Sequence, residues 1–89
     1  RIATKYATHS IHDIIPLENN YSIYELKVPK DWIGKSLSQI DIRKKYKINI
    51  LTIKRGEEVF IPSPDTVIET DDIAFVIGEI RDIQKCFRI

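Results

Sequence analysis

Residues 48–61, INILTIKRGEEVFI, contain two predicted strands with a turn between them. Ile48 to Ile53 is rich in β-branched residues and alternates along its length, which is typical of a β-strand. Arg55-Gly56-Glu57 is a hairpin turn signal, and Glu58 to Ile61 supplies the partner strand. An antiparallel β-hairpin is therefore predicted in the middle of the chain.

Two further strands and two helices are predicted on either side of this hairpin. Residues 21–28, YSIYELKV, form a strand, and Ile73 to Ile77 forms a dense apolar one. Ser36 begins a helical stretch before the hairpin, and Ile80 to Phe87 is a final amphipathic helix. The order strand-helix-strand-strand-strand-helix predicts an α+β domain with a small mixed sheet, because strands joined by a helix are parallel if they are adjacent.

The chain divides at about residue 20. Residues 1–8 have apolar side chains at helical spacing, and Pro16 stops any helix that follows them. Residues 1–19 are therefore predicted to be a linker with the end of a preceding helix, and residues 20–89 to be the domain. Arg1 in place of Met suggests a fragment of a longer chain.

The segment around Asp41 has an irregular helical pattern. Leu37 and Ile40 lie on one side of a helix, but Ile42 would lie about 140–200° away from them on a continuous helix. The helix therefore either breaks at Asp41, where Asp is a good N-cap for a second turn over Ile42 to Tyr46, or leaves Ile42 exposed.

Composition excludes several function classes. The 89 residues are 43% apolar and 30% charged with a net charge of +1, as in a soluble globular domain. They contain no apolar run of the roughly 18 residues that a membrane span needs. With three glycines there is no phosphate-binding glycine loop, and no catalytic constellation is apparent. No enzyme activity and no nucleic-acid partner are expected.

Two other features carry weak chemical signals. His9 and His12 are three residues apart, but no third ligand is indicated, so no metal site is predicted. Cys86 is expected to be a small apolar residue on the last helix.

The charges are segregated along the chain. Every charged residue from Arg43 to Arg55 is basic, and every one from Glu57 to Asp72 is acidic. The two segments form either a positive and a negative face or two solvated edges.

Five blocks in this order resemble the C-terminal subdomain of RCK proteins, the TrkA-C (RCK_C) domain. They are Ser22 to Val28, Trp32 to Leu37, Ile48 to Gly56, Ile61 to Pro64 and Asp71 to Gly78. One departure is that Thr70-Asp71-Asp72 stands where the family usually has Gly-Asp. The resemblance implies a two-fold homodimer in the gating subunit of a Ktr-type potassium transporter. It also implies a cytoplasmic location next to a membrane potassium-translocating subunit.

The resemblance further implies that cyclic di-AMP binds at the dimer interface and inhibits potassium uptake. Asp41 would accept from the adenine amino group, and Arg43 and Asn49 would donate to ring nitrogens or phosphate. Ile48 stands where a His often donates to the phosphate, which would weaken affinity. The predicted ligand-binding residues are Leu37, Asp41, Ile42, Arg43, Asn49, Ile50 and Pro64.

The same residues allow other interpretations. Asp41 as an N-cap, Ile42 as an interface residue and Arg43 as a surface base would suit a dimerisation domain without a ligand. Regulation by another ion or ligand is a further alternative.

Overall fold

A computed structural model describes residues 11–89. The strands are β1 (Ile11–Pro16), β2 (Tyr21–Lys27), β3 (Asn49–Arg55), β4 (Glu58–Phe60) and β5 (Ile73–Glu79). The helices are α1 (Leu37–Ile40), α2 (Ile42–Tyr46) and α3 (Ile80–Phe87), with a 3-10 turn at Lys30–Trp32. The five strands form one sheet in the order β1-β2-β5-β3-β4.

The α+β class is confirmed, and the elements predicted after residue 20 occur in the predicted order. The sheet differs from the expected mixed sheet, because the described strands pair only in antiparallel fashion. The physical reason is that β5 lies between β2 and β3. Those two strands run parallel to each other, as a helical crossover requires, but they are not neighbours.

Part of the predicted linker is a strand in this structure. Residues 11–16 pair with β2 as the edge strand β1, and a tight turn with Asn19 and Asn20 at positive φ joins the two. Polar side chains between the isoleucines hid the strand pattern, which an edge strand with one solvated face permits. The domain boundary at residue 20 stays a prediction, and the predicted helix end at residues 1–8 lies outside the described residues.

The core lies between one face of the sheet and the helices. On that face Tyr24 of β2 pairs directly with Val76 of β5, and Leu26 pairs with Ala74. All four side chains are at most 2% exposed. Helix α3 packs on these two strands and contacts α2. The alternation therefore fixes which face of the sheet the helices cover.

The hairpin contains a β-bulge that sequence alternation did not reveal. Ile50 pairs with Val76 and Thr52 with Phe75, so Leu51 is an extra residue in β3. A bulge moves the following side chains to the opposite face. As a result Ile53, not Thr52, is fully buried, while Leu51 is 36% exposed.

An ion pair between the half-buried Arg55 and the buried Asp72 joins the basic and the acidic segments. Arg55 donates from Nε and Nη2 to the two carboxylate oxygens of Asp72 at 2.9 and 2.8 Å, and Asp72 is completely buried. This pairing raises the pKa of Arg55. Arg55 also donates to the carbonyl oxygen of Val67 at 3.0 Å, which fixes the connection between β4 and β5.

The Asp71-Asp72 departure from the family pattern has a conformational basis. Asp71 has a φ of 68°, in the left-handed region that glycine favours and that Asp tolerates better than most other residues. Asp at this position is therefore compatible with the left-handed turn, and the next residue, Asp72, pairs with Arg55.

Gly78 is required by a close approach to the chain segment that precedes β3. A methyl group at Gly78 would lie 2.6 Å from Cγ2 of Ile48, which is 2% exposed. No real contact of that kind is this short, so a larger residue would displace β3 from β5.

We expect Gly78→Ala to lower the free energy of unfolding by about 1–3 kcal/mol, because the added methyl overpacks the core. Ile48→Ala alone should cost about 2–5 kcal/mol through the cavity it leaves. Because the double variant removes the clashing Cγ2, its loss should fall short of the sum by about 1 kcal/mol or more in urea denaturation. Strict additivity would contradict this contact.

Candidate functional site

Two short helices meet at a residue in the left-handed conformation. Ser36 caps α1. Its hydroxyl oxygen accepts a hydrogen bond from the backbone N–H of Gln39, and Oε1 of Gln39 accepts one from the backbone N–H of Ser36. Asp41 then has a φ of 58°, ends α1 and begins α2. The first of the two alternatives predicted for this segment is therefore the one observed, and the helix breaks at Asp41.

The helix break at Asp41 directs the side chain of Ile42 into the core. Its side chain is 4% exposed, so the alternative in which Ile42 stays exposed is not the one observed. The physical reason is that the left-handed residue redirects the chain and brings Ile42 back to the side of Ile40. Asp41 is not a side-chain N-cap, because its carboxylate makes no hydrogen bond to the first turn of α2.

The loop after β4 is fastened to α1 through backbone hydrogen bonds. The amide of Leu37 donates to the carbonyl of Thr66 at 3.1 Å, and that of Ser38 donates to the carbonyl of Pro64 at 3.0 Å. Within the loop the Ser63 amide donates to Oγ1 of Thr66 at 2.9 Å. Two prolines with fixed φ stiffen the same loop. The loop thus forms a fixed wall beside α1.

The two short helices, the start of β3 and this loop surround a cavity of about 200 Å³ that is open to solvent. The structure places all seven residues predicted for the ligand site around it: Leu37, Asp41, Ile42, Arg43, Asn49, Ile50 and Pro64. They come from α1, the Asp41 junction, α2, the start of β3 and the loop at residues 62–66, which we call the proline loop. Their assignment to a ligand stays a prediction, but their proximity is a property of the fold.

The cavity combines an apolar wall with polar groups that are free to bind. Ile42 and Ile50 are buried beneath it, Asp41 is half-buried, and Arg43 and Asn49 are exposed. Among the described residues the side chains of Asp41, Arg43 and Asn49 make no hydrogen bond or ion pair with one another or with any other group. One acceptor and two donors are therefore available to a ligand that covers the apolar wall.

The sequence prediction omitted three of the residues that line the cavity. Ser38, Pro62 and Ser63 also line the cavity. The Pro62-Ser63-Pro64 run was the available signal, because its rigid turn lies within one of the five quoted blocks. Ile48 does not line the cavity, since its side chain packs against Gly78 in the core.

The other sequence signals lead to no second site. His9 lies outside the described residues, and within residues 11–89 no three His, Cys, Asp or Glu side chains are grouped to hold a metal ion. Cys86 is buried on α3, as predicted, and burial raises the pKa of its thiol to about 12. It is therefore an unreactive core residue at neutral pH.

Comparison with known families gives a match to the TrkA-C domain over residues 22–89. This chain belongs to the TrkA-C family. The family comprises regulatory domains of potassium transport proteins and not enzymes. The resemblance inferred from the five sequence blocks is thereby confirmed.

Two relatives come from potassium uptake systems of Bacillus subtilis (strain 168). The chain is 38% identical to Ktr system potassium uptake protein C over 86 residues, and 30% identical to Ktr system potassium uptake protein A over 86 residues. Each alignment covers 96% of this chain and 39% of the relative. The chain therefore spans about two fifths of the length of these proteins.

Solved structures show the same fold. The RCK C domain of the potassium transport protein KtrA, in complex with c-di-AMP, is 39% identical and superposes with a TM-score of 0.74 over 79% of this chain and 84% of that one. The RCK_C domain dimer of S. agalactiae BusR, also in complex with c-di-AMP, has a TM-score of 0.64 over 79% of this chain and 94% of that one. Its 21% identity supports the fold alone.

Within residues 11–89 no helix is long and apolar enough to cross a membrane. The longest, α3, has eight residues.

We expect Asp41→Gly to change the free energy of unfolding by less than about 1 kcal/mol, because glycine adopts positive φ freely. Asp41→Val should lower it by about 1–3 kcal/mol, since a β-branched residue resists the left-handed conformation. Urea denaturation of both variants measures the difference. A neutral Asp41→Val would contradict the left-handed turn between α1 and α2.

Proposed function

We propose that this domain is the ligand sensor of a regulatory subunit of a potassium uptake system, and that it binds cyclic di-AMP as a homodimer. The supporting observation is the convergence of the seven predicted residues on one cavity. The c-di-AMP complex of a KtrA domain that is 39% identical supports the choice of ligand.

The lining suits one adenine and its phosphate. Leu37, Ile42, Ile50 and Pro64 offer the apolar surface that a purine ring needs. The Asp41 carboxylate is an acceptor for an adenine amino group, whose two protons are donors. Arg43 is the donor for a phosphate, because its planar guanidinium can make two parallel hydrogen bonds to phosphate oxygens.

The size of the cavity favours a shared site. Pockets for ligands of drug size usually enclose about 300–1,000 Å³, whereas this cavity holds about 200 Å³ and is open to solvent. Cyclic di-AMP has two identical halves, and a two-fold dimer presents the same residues to each half. We therefore infer that each protomer contributes half of the site.

The wider setting follows from the relatives. We place the full protein in the cytoplasm, in contact with a membrane subunit that translocates potassium, and we infer that ligand binding inhibits uptake. Two protomers held together by one ligand would link the ligand concentration to the arrangement of the subunits. That link would carry the signal from the cavity to the transporter.

A dimerisation domain without a ligand is the second candidate. It is favoured by exposed apolar side chains on β1, β2 and the turn between them, where Ile15, Leu17 and Tyr21 are each more than 40% exposed. It predicts a dimer whose association does not respond to cyclic di-AMP.

Isothermal titration with cyclic di-AMP tests the ligand assignment. We expect saturable binding with one ligand per two chains. Arg43→Ala should weaken binding by about tenfold or more, because a hydrogen bond to a charged group contributes about 1.5–3 kcal/mol.

The matched control is Arg81→Ala, which removes the same charge from a side chain that is 82% exposed on α3 and does not line the cavity. It should bind like the parent chain. Absence of heat at high micromolar ligand, together with a dimer in gel filtration, would favour the dimerisation domain instead.

A further inference from the structure

We propose that the basic surface of α2, formed by Arg43, Lys44, Lys45 and Lys47, accelerates the association of the anionic ligand with the cavity. This inference depends on the proposed function and adds to it a kinetic role for three lysines that do not line the cavity. Its basis is the position and the lack of neutralisation of these charges.

The four side chains are exposed and unpaired. Each is solvent-exposed, and none is within ion-pair distance of a carboxylate in the described part of the chain. Several other cations of the domain are paired with a carboxylate, for example Lys27 with Asp71 at 3.0 Å and Arg88 with Asp31 at 2.9 Å. The α2 surface is thus a concentration of uncompensated positive charge.

The charges are close enough to the cavity to act on an approaching ligand. Arg43 lines the cavity, and α2 has only five residues. At 1.5 Å per residue the whole helix is about 7.5 Å long. That length is within the Debye length of about 8 Å at physiological salt, so the lysine charges are only partly screened at the cavity mouth.

Nearby carboxylates leave a positive balance. The segments that form the cavity, residues 37–50 and 62–65, contain two acidic residues, Asp41 and Asp65, and four basic residues, three in α2 and Lys47 directly after it. Each protomer therefore presents a net of two positive charges around its cavity. Cyclic di-AMP carries two negative charges, one on each phosphodiester. Attraction between a positive surface and a negative ligand raises association rates by 10-fold or more.

A purely structural role for these lysines makes a different prediction. Basic residues stabilise the carboxyl end of a helix through its dipole, and Lys45 and Lys47 lie at that end of α2. In that case, neutralising these lysines would lower the free energy of unfolding and leave the association rate constant of the ligand unchanged.

The test measures association and dissociation rate constants of cyclic di-AMP by surface plasmon resonance at about 20 mM and about 500 mM salt. For Lys44→Gln/Lys45→Gln we expect an association rate constant about fivefold lower at low salt, with dissociation changed less than twofold. The difference should disappear at high salt, where the Debye length falls to about 4 Å.

Two controls separate charge from packing and from distance. Lys44→Arg/Lys45→Arg keeps the charge and should associate like the parent chain. Lys54→Gln/Lys85→Gln removes two exposed charges from β3 and α3 and should do the same. An unchanged rate for the α2 pair, or an equal loss in either control, would overturn the proposal while ligand binding stands. No binding by the parent chain would overturn both.

Discussion

The left-handed conformation of Asp41 is the constraint on which the candidate site depends. It ends α1 after one turn and starts α2 in a new direction, which buries Ile42 and leaves Arg43 at the cavity mouth. A continuous helix would carry Ile42 away from the core. The strain of one residue, of order 1–2 kcal/mol for an L-amino acid, is therefore offset by the burial of an isoleucine side chain, which contributes a similar or larger amount.

The remaining walls of the cavity are held by interactions other than the Asp41 turn. The Arg55–Asp72 pair fixes the long connection after β4, and backbone hydrogen bonds tie its proline loop to α1. The contact of Gly78 with Ile48 sets how closely the chain enters β3, where Asn49 and Ile50 begin. Preformed walls reduce the ordering cost of binding, so a small cavity can still support useful affinity.

Strong local signals made most of the fold predictable. The β3–β4 hairpin was predicted from its turn, where Gly56 has a φ of 62°. The final helix begins at Ile80 and ends at Phe87, as predicted. Features set by tertiary contacts were not predictable. The strand β1 gains its pattern only by pairing with β2, the bulge at Leu51 depends on register with β5, and the antiparallel sheet depends on where β5 inserts. For the site, the family pattern predicted seven residues that the fold brings around one cavity, whereas only the structure revealed that Ile42 is buried.

We propose that cyclic di-AMP occupies the cavity around Asp41. A titration followed by two-dimensional ¹H–¹⁵N NMR tests it most directly, because each backbone amide reports its own surroundings. If cyclic di-AMP occupies this cavity, the largest shift changes will lie in residues 37–43 and 49–50 and at Ser63, with small changes at Arg55 and Asp72, which do not line the cavity. Largest changes on the uncovered face of β1 and β2, or none at saturating ligand, would contradict it.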